Sequence, residues 1–96
     1  MVADKEHLEQ LLQFIHEHRS QESHFQLLYD RLHAEYQATQ AGTESETQYA
    51  NDLRETLEKH AEVYKENKEK GISTWAEFEN MVSHFEKSVT GALHHT

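Results

Sequence analysis

The sequence has no cysteine, which excludes disulfide bonds and thiolate metal sites and is consistent with a reducing compartment. It also has no apolar run near the ~20 residues that a membrane-spanning helix needs. The acidic start, MVADKEHLEQ, lacks the apolar stretch of a secretory signal. We therefore expect a cytoplasmic protein that makes no membrane contact.

Proline is absent as well, and glycine occurs only at Gly42, Gly71 and Gly91. Because these two residue types are the main breakers of helices, the sequence predicts a small number of long helices. Three isolated glycines cannot form a phosphate-binding loop, and no Gly-x-Ser-x-Gly or His-Glu-x-x-His motif occurs. We expect a protein that is not an enzyme and uses no cofactor.

Basic residues are scarce, since nine Lys and Arg stand against 18 Asp and Glu, for a net charge of −9. Direct binding to nucleic acid requires clustered basic side chains, so we do not expect it. Leu, Ile, Val and Phe make up only 19 of 96 residues, which gives a thin core to one domain spanning 1–96. Self-association would bury more apolar surface, and we predict a homodimer.

The first 40 residues carry a stripe of mainly apolar side chains in alternating steps of three and four, which starts at Leu8 and runs on through Tyr29 and Tyr36. Such a repeat is typical of a coiled-coil or bundle helix, and it predicts one helix over about 4–40. Gly42 and the capping box Thr43-x-x-Glu46 then predict a stop and a restart.

Two further helices are predicted, over about 44–70 and about 74–93, and the last has the most apolar stripe. That stripe begins with Trp75, which we expect to pack beside Ile72 and Phe78. Gly71 would cap the former helix and Thr74 would open the latter. The first two helices would form an antiparallel hairpin on which the third docks. The predicted fold is therefore an all-α three-helix bundle with a frayed tail at 94–96.

An alternative arrangement has four shorter helices, with a break at 20–23. In that case Ser23-x-x-Gln26 would form a further capping box. The apolar repeat continues through the segment, so the single long helix is preferred and the four-helix arrangement is kept as the alternative.

Two polar residues interrupt the apolar stripes, Glu22 in the first helix and His60 in the second. An antiparallel hairpin places them opposite each other, and a buried charge needs a partner. We therefore predict that the two side chains pair, with His18 or Tyr64 nearby. A polar contact that fixes the register is the plainer interpretation. If the bundle instead holds a metal ion, His18, Glu22 and His60 are the candidate ligands.

Four apolar residues lie off the main stripe: Leu12, Phe14, Leu27 and Leu28. An exposed apolar strip usually marks an interface, although these residues could also pack against the third helix or a second copy. We expect a small acidic interaction module, such as an adaptor, an inhibitor or an immunity-like partner, that binds another protein through a helix face. One alternative is an acidic inhibitor that mimics nucleic acid in a basic groove. A second alternative is a metal-binding helical bundle.

Overall fold

The computed structural model describes residues 5–40 and 47–94, and every regular element within them is helical. In chain order these are α1 (Lys5–His18), a 3₁₀ turn (Glu22–His24), α2 (Phe25–Gln40), α3 (Gln48–Thr56), a π-helical turn (Leu57–Ala61), α4 (Glu62–Glu69) and α5 (Trp75–Leu93). The π-helical turn joins α3 to α4 without interruption, so the described residues form four helical rods. The all-α prediction is confirmed.

Two predicted features fall mostly outside the described residues. These are the turn at Gly42 with its capping box, and the frayed tail at 94–96. His94 itself lies in a last turn after α5, where its backbone N–H donates to the Thr90 carbonyl at 3.2 Å. Within the described part of the chain, no helix combines the length and apolar character needed to cross a membrane.

The long first helix is interrupted, and the four-helix alternative is the arrangement that the structure has. α1 ends at His18, and Gln21 is extended, with φ −125° and ψ 112°. The 3₁₀ turn then leads into α2 at Phe25. The break falls in a polar segment whose serines compete with the helix for backbone hydrogen bonds. The predicted helix over 4–40 is therefore corrected to two helices.

The break also changes which side of α2 is buried. The continuous repeat placed Tyr29 and Tyr36 on the buried stripe, but both are only partly buried. The buried residues of α2 keep the same spacing in a different phase: Phe25, Leu28, Leu32, Glu35 and Thr39. Because the chain turns a corner before α2, the phase of α2 does not depend on that of α1, and packing decides it.

Contacts between side chains show that the rods run antiparallel. α2 meets the α3–α4 rod with Glu35 beside Tyr49 at one end and with Phe25 stacked on Tyr64 at the other. α5 lies centrally, against α1 on one side and against α3 and the π-helical turn on the other. One apolar cluster fills the space between the rods: Leu8, Leu11, Ile15, Phe25, Leu28, Leu32, Leu53, Leu57, Ala61, Tyr64, Phe78, Met81, Val82, Phe85 and Val89.

A charged clamp joins the end of α1 to the middle of α5. Arg19 Nη1 donates to both carboxylate oxygens of Glu86, at 2.5 and 2.7 Å. His16 Nε2 donates to one of these oxygens at 2.5 Å. Burial alone would raise the pKa of the Glu86 carboxyl, but the hydrogen bonds and charges of Arg19 and His16 outweigh it. The pKa of Glu86 therefore lies below its ordinary value.

We expect Arg19→Ala to lower the free energy of unfolding by about 1 kcal/mol at pH 7, because the pair is partly exposed and screened by water. A carboxyl with a lowered folded pKa stabilises the protein above its unfolded pKa of about 4.3, and this contribution is lost as the pH falls through the folded pKa. Urea unfolding of the wild-type protein and of Arg19→Ala at pH 7 and at pH 3 measures the loss of free energy of unfolding, which should be smaller at pH 3. Arg54→Ala is the matched control, since it removes only the exposed 3.8 Å pair with Glu58. An equal loss at both pH values would contradict the role given to Glu86.

Candidate functional site

The chain reverses between α4 and α5 through a glycine-capped turn. Gly71 has φ 72°, a left-handed conformation that strains other residues. Its N–H donates to the Lys68 carbonyl at 3.2 Å, and the Ile72 N–H donates to the Asn67 carbonyl at 2.9 Å. These are the two bonds of a Schellman motif. The predicted cap at Gly71 is confirmed, and it fixes the direction in which Ile72 leaves α4.

Two large apolar side chains follow this turn and remain in contact with solvent. Ile72 is 53% exposed and Trp75 is 43% exposed. The Trp75 ring lies 5.7 Å from that of Phe78, so one edge is anchored on the core while the rest faces outward. We call Ile72 and Trp75 the end surface. Leu27, near the start of α2, is 50% exposed, and the described residues include no further exposed large hydrophobic side chain.

A hydrogen-bonded joint ties the α1–α2 connection to the α4–α5 connection at this end of the bundle. The Glu22 carboxylate accepts one hydrogen bond from the Tyr64 hydroxyl at 3.0 Å and another from the Thr74 hydroxyl. Burial, followed by the hydrogen bond and charge of Glu22, raises the pKa of the Tyr64 phenol. α5 begins after Thr74 as predicted, but the Thr74 hydroxyl binds Glu22 and does not cap the helix.

A second carboxylate, this one buried, ties α1, α2 and α3 together toward the opposite end. Glu35 is 4% exposed. It accepts a hydrogen bond from His7 Nε2 at 2.7 Å and another from the Tyr49 hydroxyl at 2.9 Å. Burial, followed by the charge and hydrogen bond of Glu35, raises the pKa of the Tyr49 phenol far above its ordinary value. Both carboxylates are thus structural junctions between rods.

His60 lies on the π-helical turn, and it does not pair with Glu22. A π-helical turn takes an additional residue to go round the axis, so Ala61 fills the core-facing position expected for His60. The His60 ring instead stacks on the His84 ring of α5, with centroids 4.2 Å apart and planes inclined by 29°. The predicted pairing of Glu22 with His60 is therefore wrong, whereas the predicted nearness of Tyr64 to Glu22 is confirmed.

A small pocket lies beside this histidine pair, between α3 and α5. Its volume is about 120 Å³, and it is lined by Asp52, Glu55, His84, Lys87 and Ser88. The lining mixes acidic and basic side chains and offers little apolar surface. Such a pocket holds water or a small ion more readily than an organic substrate.

The three candidate metal ligands have separate partners. His18 Nδ1 shares a hydrogen bond of 3.0 Å with His24 Nδ1, while Glu22 and His60 make the contacts described above. Within residues 5–40 and 47–94, no group of three or more His, Cys, Asp or Glu side chains is arranged to hold a metal ion.

Of the four apolar residues predicted to form an interaction face, one is fully buried. Leu28 belongs to the core and is withdrawn from that face. Leu12 and Phe14 are partly buried against the core, and the Arg31 guanidinium lies 5.3 Å from the centre of the Phe14 ring. Leu27 alone of the four keeps half of its surface in solvent.

The end surface was missed because the helical repeat assigned Trp75 to the core. The available signal was its position in the first turn of α5, directly after the chain reversal at Gly71. At such a position fewer neighbouring rods can cover a side chain. The chain matches no known protein family, and no curated protein or solved structure is similar to it.

Proposed function

We propose that the protein is a small acidic interaction module, not an enzyme, that binds another protein in the cytoplasm through the end surface. The observation that carries this proposal is the exposure of Ile72 and Trp75, 53% and 43%, on one short connection. Tryptophan is enriched among the residues that dominate binding energy. Burying the two side chains in a partner would remove their apolar surface from water.

The end surface is held in place by its surroundings, which supports the proposal. The Schellman motif fixes the backbone before Ile72, and the hydrogen bond from Thr74 to Glu22 fixes it before Trp75. A partner would therefore not have to order this segment on binding. Surfaces that are already ordered lose less free energy to conformational restriction when they bind.

The packing of the chain favours a different protein over a second copy as the partner. The apolar stripes of the described residues close on each other within one chain, so a second copy offers no free apolar stripe there to receive Ile72 and Trp75. A stable interface usually buries about 800 Å² on each side, so a partner would cover the residues around the end surface as well. The homodimer stays a prediction, and the end surface suits insertion into an apolar pocket of another protein.

The proposal is tested by capture of partners from a host extract with quantitative mass spectrometry, followed by titration of the purified partner. We expect Trp75→Ala to weaken binding at least about tenfold, as for a hot-spot residue. Leu27→Ser is the matched control, because Leu27 is similarly exposed at 50% but lies on α2. This control should change the affinity by less than about twofold, as for a residue outside a hot spot.

Three outcomes would overturn the proposal. Binding that is lost in Leu27→Ser and kept in Trp75→Ala would assign the interface to the outer face of α2. Binding that falls steeply with salt and is indifferent to both variants would favour an acidic mimic of nucleic acid. If light scattering gives the mass of a dimer for the wild-type protein and of a monomer for Trp75→Ala, the end surface is a self-association site.

A further inference from the structure

The contact between the His60 and His84 rings is a second feature of the protein, separate from the end surface. Two ionisable rings from different rods lie with centroids 4.2 Å apart. The Nδ1 atom of His60 is buried and has no hydrogen-bond partner among the described residues. Neutral imidazoles stack through their faces, but an imidazolium needs an acceptor for each ring N–H. The buried nitrogen has none, so the contact as it stands accommodates only an uncharged His60.

We propose that the His60–His84 contact is an acid-sensitive latch between the π-helical turn and α5, closed while His60 is neutral and opened when His60 takes up a proton. Opening separates the rings and lets the buried nitrogen reach water or a carboxylate. The latch does not involve Ile72 or Trp75, so it is independent of partner binding at the end surface.

Charged groups on both rods surround the latch and act in opposite directions. Burial is the largest influence and lowers the pKa of His60, and His84 on α5 and Lys59 on the same rod also lower it. Glu77 on α5 and Glu55 on α3 raise it, without reversing the net effect. The same two carboxylates would serve as acceptors for an imidazolium that leaves the stack. The pocket beside the latch adds Asp52 and Lys87 to the charged groups around His84.

The direction of the pH response follows from these influences. An unperturbed histidine has a pKa of about 6.5, and the closed latch lowers that of His60. The open form therefore binds the proton more tightly. Above about pH 6.5 the latch stays closed. Below about pH 6.5 the open form takes up one proton, and its population rises by up to about tenfold for each unit by which the pH falls. The response ends once the pH falls below the lowered pKa of the closed form.

The helical turn that carries His60 suits this role. π-helical turns are rare irregularities of helices and occur frequently at functional sites. Here it moves His60 off the core-facing stripe and onto α5 without breaking the rod. Opening the contact would thus loosen α5 next to the pocket while the apolar core stays in place.

Amide hydrogen exchange and histidine NMR on the whole chain test the latch. In the wild-type protein we expect the pKa of His60 to lie below the ordinary histidine value of about 6.5. Between pH 7.5 and pH 5.5, exchange of the amides of Leu57–Ala61, corrected for intrinsic chemistry, should accelerate clearly more than about twofold and up to about tenfold. In His60→Phe, whose ring stacks but does not ionise, the acceleration should fall below about twofold.

His33→Phe is the matched control, because it removes an exposed histidine and should leave the acceleration unchanged. Should His60→Phe fail to fold, His60→Gln keeps a polar side chain without a titratable ring and serves the same purpose. The latch is overturned if the pKa of His60 does not lie below the ordinary histidine value of about 6.5. It is equally overturned if exchange accelerates as much in the His60 variant as in the wild-type protein.

Discussion

Replacing Glu35 with alanine is expected to lower the free energy of unfolding by about 3 kcal/mol, out of the 5–15 kcal/mol typical of a folded domain. The carboxylate is 4% exposed and accepts hydrogen bonds from both Tyr49 and His7. Alanine would remove the acceptor of the Tyr49 hydroxyl in an environment where burial is the main influence on that phenol. It would also cut the hydrogen bonds that join α2 to α1 and to α3 through this carboxylate.

Urea unfolding at pH 7, with the slope checked for constancy, measures this loss. Glu35→Gln is the matched control, because its amide oxygen still accepts from Tyr49, and we expect it to cost only about 1 kcal/mol. Tyr49→Phe should cost a similar amount, since it removes one hydrogen bond. If Glu35→Ala lowers the free energy of unfolding no more than Glu35→Gln does, the carboxylate is not a junction between the helices.

Replacing Glu22 with alanine is expected to lower the free energy of unfolding by about 2 kcal/mol. Its carboxylate joins two chain connections through hydrogen bonds from Tyr64 and Thr74. The loss is expected to be smaller than at Glu35 because Thr74 is only partly buried and water can replace its partner. The Tyr64 hydroxyl, on a residue that is 2% exposed, has less access to water.

A double-mutant cycle with Tyr64→Phe isolates this bond, and the coupling should account for about 1 kcal/mol of the loss. Glu79→Ala removes an exposed carboxylate from α5 and should stay within about 0.5 kcal/mol. Additive losses in the cycle would show that the Tyr64–Glu22 bond contributes nothing to stability.

The elements that local rules govern could be predicted from the sequence. The absence of proline and the spacing of apolar residues predicted helices, and the Schellman cap at Gly71 and the start of α5 at Trp75 follow from residues within one turn. Near Ser20 the sequence left two arrangements open, a continuous helix and a break. The free-energy difference between them depends on packing outside this segment. Propensity alone does not decide such a case.

The partners of the polar residues could not be predicted, since they depend on phase and on irregular turns. A repeat carried through the break placed Tyr29, and not Leu28, in the core. A regular helix through His60 placed it opposite Glu22, but the π-helical turn brings it to His84. The spacing of apolar residues in a sequence does not show where a helical turn contains one extra residue. Ile72 and Trp75, which carry the proposed interface, were interpreted as packing residues because a helical repeat does not show how many neighbouring rods cover a side chain.

Because of the antiparallel order of the rods, the two ends of the bundle differ. α1 starts and α5 finishes at one end, and Ile72 and Trp75 lie at the other, along a body whose long axis measures 40 Å. A carrier, a dye or a solid support attached to either Lys5 or the segment after Leu93 would therefore hold the tryptophan outward, away from the tether.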